Sequence, residues 1–122
     1  MLVVRDGDVA AVELHGARFT SRSAPSRGGT ELAMWTVEVP VGAGTPHRLD
    51  REEVLHVLAG RLVVSVDGES ATLAAGDTVS VPPGSLLSVE AVEAPTRMLA
   101  CVRAGLVATL ADGTRLSPPW AS

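Results

Sequence analysis

Side chains able to do acid–base or metal chemistry gather in one stretch of this 122-residue chain. Residues 42–60 read Gly-Ala-Gly-Thr-Pro-His-Arg-Leu-Asp-Arg-Glu-Glu-Val-Leu-His-Val-Leu-Ala-Gly and hold two of the three histidines, His47 and His56, with Glu52 and Glu53 between them. An imidazole and a carboxylate together can hold a divalent ion or pass a proton to and from a substrate. His56 lies three residues after Glu53, so on one strand their side chains point to opposite faces, and Glu52 is likewise turned away from Glu53. The third histidine, His15, is not placed by any pattern around it. Cys101 is the single cysteine, which excludes an internal disulfide and a thiolate zinc cluster. Its apolar run Met98-Leu99-Ala100-Cys101-Val102 marks it as a small core residue and not a nucleophile.

The elements that must position these groups are short apolar or alternating runs separated by turn residues. They predict strands near 9–14, 17–20, 31–39, 54–58, 61–66, 71–74, 78–81, 86–92, 97–103 and 106–110. Val and Thr enrichment supports strands, because β-branched side chains suit a pleated surface. Leu62, Val64 and Val66 alternate with Val63, Ser65 and Asp67, and Asp67-Gly68 supplies two residues that tolerate positive φ for a tight hairpin. Gly76-Asp77 and Pro82-Pro83-Gly84 punctuate the following strand at both ends. No segment repeats apolar residues at helical spacing over a useful length. An all-β sandwich or barrel follows, as a single domain over 1–122 with no internal repeat or linker. The polar stretch 21–29 is expected as a solvated loop or, alternatively, as an arm whose Arg22 and Arg27 meet an anionic ligand or a partner subunit. In the tail, 112–122, Trp120 is expected to anchor against the body, since an exposed indole leaves a large apolar area in water.

Residues 42–60 and 76–91 together resemble the two motifs of the cupin family, G-x5-H-x-H-x3,4-E-x6-G and G-x5-P-x-G-x2-H-x3-N. His47, Glu53 and Gly60 match the first motif, and Gly76, Pro82 and Gly84 match the second at the stated spacing. Gly42 stands one residue closer to His47 than the pattern asks. The resemblance implies the double-stranded β-helix, a jelly-roll barrel, and places His47 and Glu53 in its site. It also implies a metal shell of three His and one Glu, yet the second His falls on Leu49, the third on Leu87, and the Asn on Ala91. Two remaining ligands bind a divalent ion weakly and without selectivity, and two Leu make the site dry, which raises the cost of admitting an ion. No cofactor is therefore expected, beyond a weak divalent metal on His47 and Glu53.

Alternation around that site makes Trp35, Leu49, Leu55, Val57, Leu87 and Val89 the expected pocket walls. His47 and Glu53 are then either a buried pair that satisfies itself by a mutual hydrogen bond or a catalytic acid–base dyad in which Glu53 orients His47. An aliphatic cavity with such a pair suits an apolar or aromatic small metabolite and a metal-independent isomerisation or cyclisation. A metal-dependent, dioxygenase-like enzyme with an incomplete shell and a non-catalytic sensor module are the alternatives.

Composition limits the remaining classes. Ten Arg, no Lys and fourteen acidic residues give a net charge of -4, which argues against nucleic-acid binding. No apolar run approaches the ~18–20 residues that cross a bilayer, and the start lacks a signal-peptide pattern, so a cytoplasmic protein without a membrane partner is expected. A mean hydropathy of +0.27 and strands such as 97–102 that are apolar on both faces predict a homodimer.

Overall fold

The computed structural model describes residues 1–122 throughout. Its eleven strands are β1 (Val12–Leu14), β2 (Ala17–Ser23), β3 (Leu32–Val39), β4 (Gly42–Ala43), β5 (His47–Leu49), β6 (Glu53–Val66), β7 (Glu69–Ala74), β8 (Thr78–Val81), β9 (Leu87–Arg103), β10 (Ala108–Leu110) and β11 (Arg115–Leu116). The rest is turns and two short 3₁₀ segments, Pro25–Arg27 and Pro119–Ala121. All the strand pairs are antiparallel, and the sheet curls into a jelly-roll barrel, as the alternating pattern predicts.

β6 and β9 carry the architecture. They pair along their lengths, from Glu53 opposite Val102 to Val66 opposite Leu87. The Thr96–Arg103 half of β9 pairs on its other edge with β3, while its Leu87–Ala91 half meets β5 and β4. In the same way β6 pairs first with β8 and then with β7. Each long strand thus serves both halves of the barrel and must bend between them. The bend lies at Gly60, where the β6–β9 register shifts on either side of Ala59 and Arg61. Gly60 has φ +85°, and a Cβ there would lie 2.5 Å from the Pro95 carbonyl oxygen and 2.7 Å from Thr96 Cα. The two backbones touch at that point, so only glycine fits.

The turns clamp the barrel with backbone hydrogen bonds. Asp67 and Gly68 adopt φ +50° and +84° and form the two-residue hairpin between Val66 and Glu69. Gly76 N–H donates to Val57 O at 2.8 Å, and Val57 N–H donates to Asp77 O at 2.9 Å. Gly84 N–H donates to Leu49 O at 2.7 Å while Arg48 donates to Gly84 O at 2.8 Å, fixing the Pro-Pro-Gly turn onto β5. The core inside is aliphatic, with Val57, Leu62 and Val64 fully buried.

Several boundaries differ from the sequence pattern. The runs 54–58 and 61–66 are one strand, as are 86–92 and 97–103, because a glycine bulge and a local bend interrupt the pattern without ending the pairing. β4, β5 and β11 are two or three residues long, too short to show alternation. The expected strand 9–14 keeps only Val12–Leu14. Ser21–Ser23 belong to β2 and not to a loop, and Arg22 is tied down by Thr36 Oγ1 at 3.1–3.2 Å and Asp6 at 2.9 Å. This arginine is therefore not a free arm. In β9, Met98, Ala100 and Val102 are buried, whereas Leu99 and Cys101 are half-buried on the opposite face.

The close approach at Gly60 separates its substitution from that of other positive-φ glycines. Gly76→Ala, with φ +94° and open space around its Cβ, should cost about 1–2 kcal/mol of backbone strain. Gly60→Ala adds backbone overlap and should cost about 3 kcal/mol or more. Urea unfolding of the two variants checks this, and equal losses would contradict the packing described.

Candidate functional site

One end of the barrel encloses a cavity of about 170 Å³. Of its 25 lining residues 17 are hydrophobic. Trp35 from β3, Leu49 from β5, Leu55 from β6, and Leu87 and Val89 from β9 all line it, together with His47 and Glu53. Val57 does not. It is fully buried one step further along β6, beyond the cavity, where it fills the core between β9 and the Gly76-Asp77 turn.

The sequence pattern did not foresee how much of the wall is aromatic. The chain has one Phe, two Trp and no Tyr, and all three aromatic residues border this cavity. Phe19 stacks on Trp120 with ring centroids 3.8 Å apart and planes 10° from parallel, and Trp35 meets Trp120 edge-on at 6.4 Å and 62°. Trp120 reaches the site from the C-terminal 3₁₀ turn, whose end is fastened by Ser26 Oγ donating to Ser122 O at 2.6 Å. The tail therefore does anchor through its indole, and the anchor is also a wall. The scarcity of aromatics was the one available signal.

Glu53 begins β6 between Val81 of β8 and Val102 of β9. It is 4% exposed, and its Oε1 has no hydrogen-bond partner. Burial alone pushes its carboxyl up from the ordinary 4.5 to about 7. His47 begins β5, paired with Leu87 on one side and Leu110 on the other, and is half-buried. Its Nδ1 lies 3.1 Å from the Thr45 carbonyl oxygen. A carbonyl only accepts, so this contact places the proton of the neutral ring on Nδ1 and leaves Nε2 with its lone pair.

The expected mutual hydrogen bond between His47 and Glu53 is not made. His47 is oriented by the backbone of Thr45, two residues before it, and Glu53 has no partner. The role of orienter thus passes from a side chain to a carbonyl, a group that every residue carries and that no sequence pattern marks. Of the other candidates, His15 sits at the mouth of the cavity in the β1–β2 turn with φ +50°. His56 faces away from the cavity, with Nδ1 2.7 Å from Thr78 Oγ1, and Glu52 is exposed.

A family model described as the cupin domain matches residues 35–102. The chain belongs to the cupin family. No curated protein matches it by sequence. Solved structures with the same fold include an RmlC-like cupin from Shewanella frigidimarina, with 21% identity and a TM-score of 0.71 over 83% of this chain and 88% of that one. The polyketide cyclase RemF from Streptomyces resistomycificus is similar at 20% identity and a TM-score of 0.72, over 84% of this chain and 79% of that one. A salicylate 1,2-dioxygenase from Pseudoaminobacter salicylatoxidans, solved with gentisate, gives 20% and 0.72 over 87% of this chain and 32% of that one.

The metal common in cupins finds a poor donor set here. Leu49 and Leu87, at the two vacated histidine positions, are buried and line the cavity, and no three His, Cys, Asp or Glu side chains are grouped to hold an ion. The residues present do not fit a resident metal.

Glu53 ties this cupin's stability to pH. Its folded-state value lies above the unfolded one, so its contribution is fully present below about pH 4.5 and is lost as pH rises through about 7. The loss amounts to about 3 kcal/mol by pH 8. Urea unfolding at pH 5 and pH 8 should show this decline in the parent protein and a flatter profile in Glu53→Gln, which should be the more stable of the two at pH 8. Parallel profiles would refute it.

Proposed function

We propose that this cupin binds a small, largely apolar or aromatic metabolite in its barrel and moves a proton on it without a resident metal, as an isomerase or a cyclase would. The observation that carries this reading is the buried, unpartnered Glu53 carboxyl in a cavity that is otherwise mostly apolar. A carboxyl that ionises at about pH 7 is still substantially protonated at neutrality and can donate a proton. His47 lines the same cavity, and its Nδ1 contact with Thr45 O leaves Nε2 of the neutral ring to accept one. An acid and a base thus line one cavity, the arrangement that concerted proton transfer needs.

On an enolisable ligand the step balances as follows. Nε2 of His47 takes a proton from a carbon next to a carbonyl group, breaking the C–H bond, while the Glu53 carboxyl gives its proton to the carbonyl oxygen. The product is a neutral enol, with imidazolium and carboxylate left behind. Where a double bond is conjugated with the enol, returning a proton from His47 to the far carbon of that dienol, and the hydroxyl proton to Glu53, completes an isomerisation. Attack of the enol carbon on a second carbonyl carbon of the same molecule would instead close a ring, with the enol hydroxyl proton returning to Glu53 and the imidazolium proton passing to the new alkoxide oxygen. The likeness to a polyketide cyclase supports the second outcome only in that the same fold serves cyclisation there.

Cyclohexanone, an enolisable ring of suitable size, is a direct probe. Its α-proton exchange in deuterium oxide, followed by NMR, should be accelerated by the parent protein and reduced about tenfold or more by Glu53→Gln or His47→Ala. Acceleration that a chelator abolishes would favour the metal-dependent reading instead. Binding without exchange would make the protein a non-catalytic binding module.

A homodimer is part of the same proposal. Leu32, Leu58 and Val92 are exposed, at 53%, 41% and 46%, and a second subunit would remove them from water. Light scattering on a size-exclusion column should give twice the 12.6 kDa chain mass, and a monomer at micromolar concentration would overturn the dimer.

A further inference from the structure

The charge distribution around the cavity narrows its ligand further, resting on the small-molecule reading above. Ten arginines supply all the permanent positive charge of the side chains, and none lines the cavity. The two arginines of the His47–Glu53 segment are engaged outside it: Arg48 with Gly84 O, and Arg51 with Ala104 O. Glu53 is the one carboxyl in the wall, and beside the aromatic rings only His15, Thr45 and His47 add polar side chains, all towards the mouth. A ligand carboxylate entering this space would give up its hydration, meet no fixed cation and face a group of its own charge sign once Glu53 ionises.

Size and shape point the same way. A cavity of about 170 Å³ is close to the ~150 Å³ of apolar cavities that hold one benzene molecule. Its wall carries the stacked Phe19–Trp120 pair with Trp35 set edge-on to it, so a flat ring finds both faces and edges of aromatic partners. Two buried polar groups of the lining residues have no partner, Glu53 Oε1 and the Trp120 indole N–H, and one ligand hydroxyl or carbonyl group can pair with the carboxyl or the indole.

We infer that the cavity selects an uncharged, single-ring molecule carrying one hydroxyl or carbonyl group, and rejects the corresponding ring carboxylates. The distinction matters because ring carboxylates are what the dioxygenase fold-relative is solved with, and because it follows from the absence of arginine in the wall and not from the absence of a metal.

Phenol and benzoate share a ring and differ in charge at pH 7.5, so they make the test. Both tryptophans of the chain border the cavity, and their indole N–H resonances in a two-dimensional ¹⁵N spectrum report occupancy directly. Phenol should shift both resonances saturably, with a Kd at least about tenfold lower than that of benzoate. Leu110→Arg, which places a cation in the wall, should bring benzoate affinity up to or beyond that of phenol. Benzoate binding to the parent protein as tightly as phenol would overturn the charge selection while leaving the small-molecule reading intact. Shifts from neither compound up to about 10 mM would overturn that reading and this inference with it.

Discussion

Everything in this molecule depends on two long, paired strands that bend from one half of the barrel to the other where their backbones approach most closely. β6 and β9 are hydrogen-bonded to each other along most of their lengths and, on their outer edges, to five further strands. Neither could serve both halves if it stayed straight. Gly60 allows the turn because the Pro95–Thr96 backbone occupies the place of a side chain. Once that bend is fixed, Glu53 at one end of β6 and Leu87 at one end of β9 have no freedom in where they point. The site is a by-product of the bend as much as of its own residues.

Within that frame the cavity holds its two polar groups in different ways. A carboxyl held among Val, Leu and aromatic side chains without a partner is an unfavourable arrangement. The same burial that disfavours its charge gives it a proton to donate near neutrality. His47 is handled differently: a backbone carbonyl satisfies one ring nitrogen and leaves the other available. Leu fills the two other positions where the cupin motif has histidine, so the surroundings of these polar groups are mostly apolar.

The barrel was legible in the sequence because its constraints are local and act on special residues. Asp67-Gly68, Gly76-Asp77 and Pro82-Pro83-Gly84 mark turns whatever surrounds them, and period-two alternation marks the strands between. The cavity residues of the middle strands followed from the same alternation. What escaped were features set by distant contacts. Val57 obeys the inward alternation but lies past the cavity's end, a depth that periodicity does not encode. The tautomer of His47 depends on a main-chain oxygen, and the strand β5 that carries it has only three residues. Trp120 lies in a Pro-rich tail with no pattern of its own, so its place beside Phe19 is visible only once the chain is folded.

That last contact has a kinetic side. The cavity wall is assembled from segments at opposite ends of the sequence, the β2 region around Phe19 and the 3₁₀ turn at Pro119–Ala121. Closing so long a loop is entropically expensive and contributes little until the ladder between β6 and β9 already exists. Beyond β11 the tail is held by few backbone bonds, with Ser26 N–H and Oγ both donating to the Ser122 carbonyl at its end. Until the tail docks, Phe19 lacks its stacking partner and the aromatic wall is open to solvent. The cavity wall is therefore complete only once the two ends of the chain have met, whatever the state of the β6–β9 ladder.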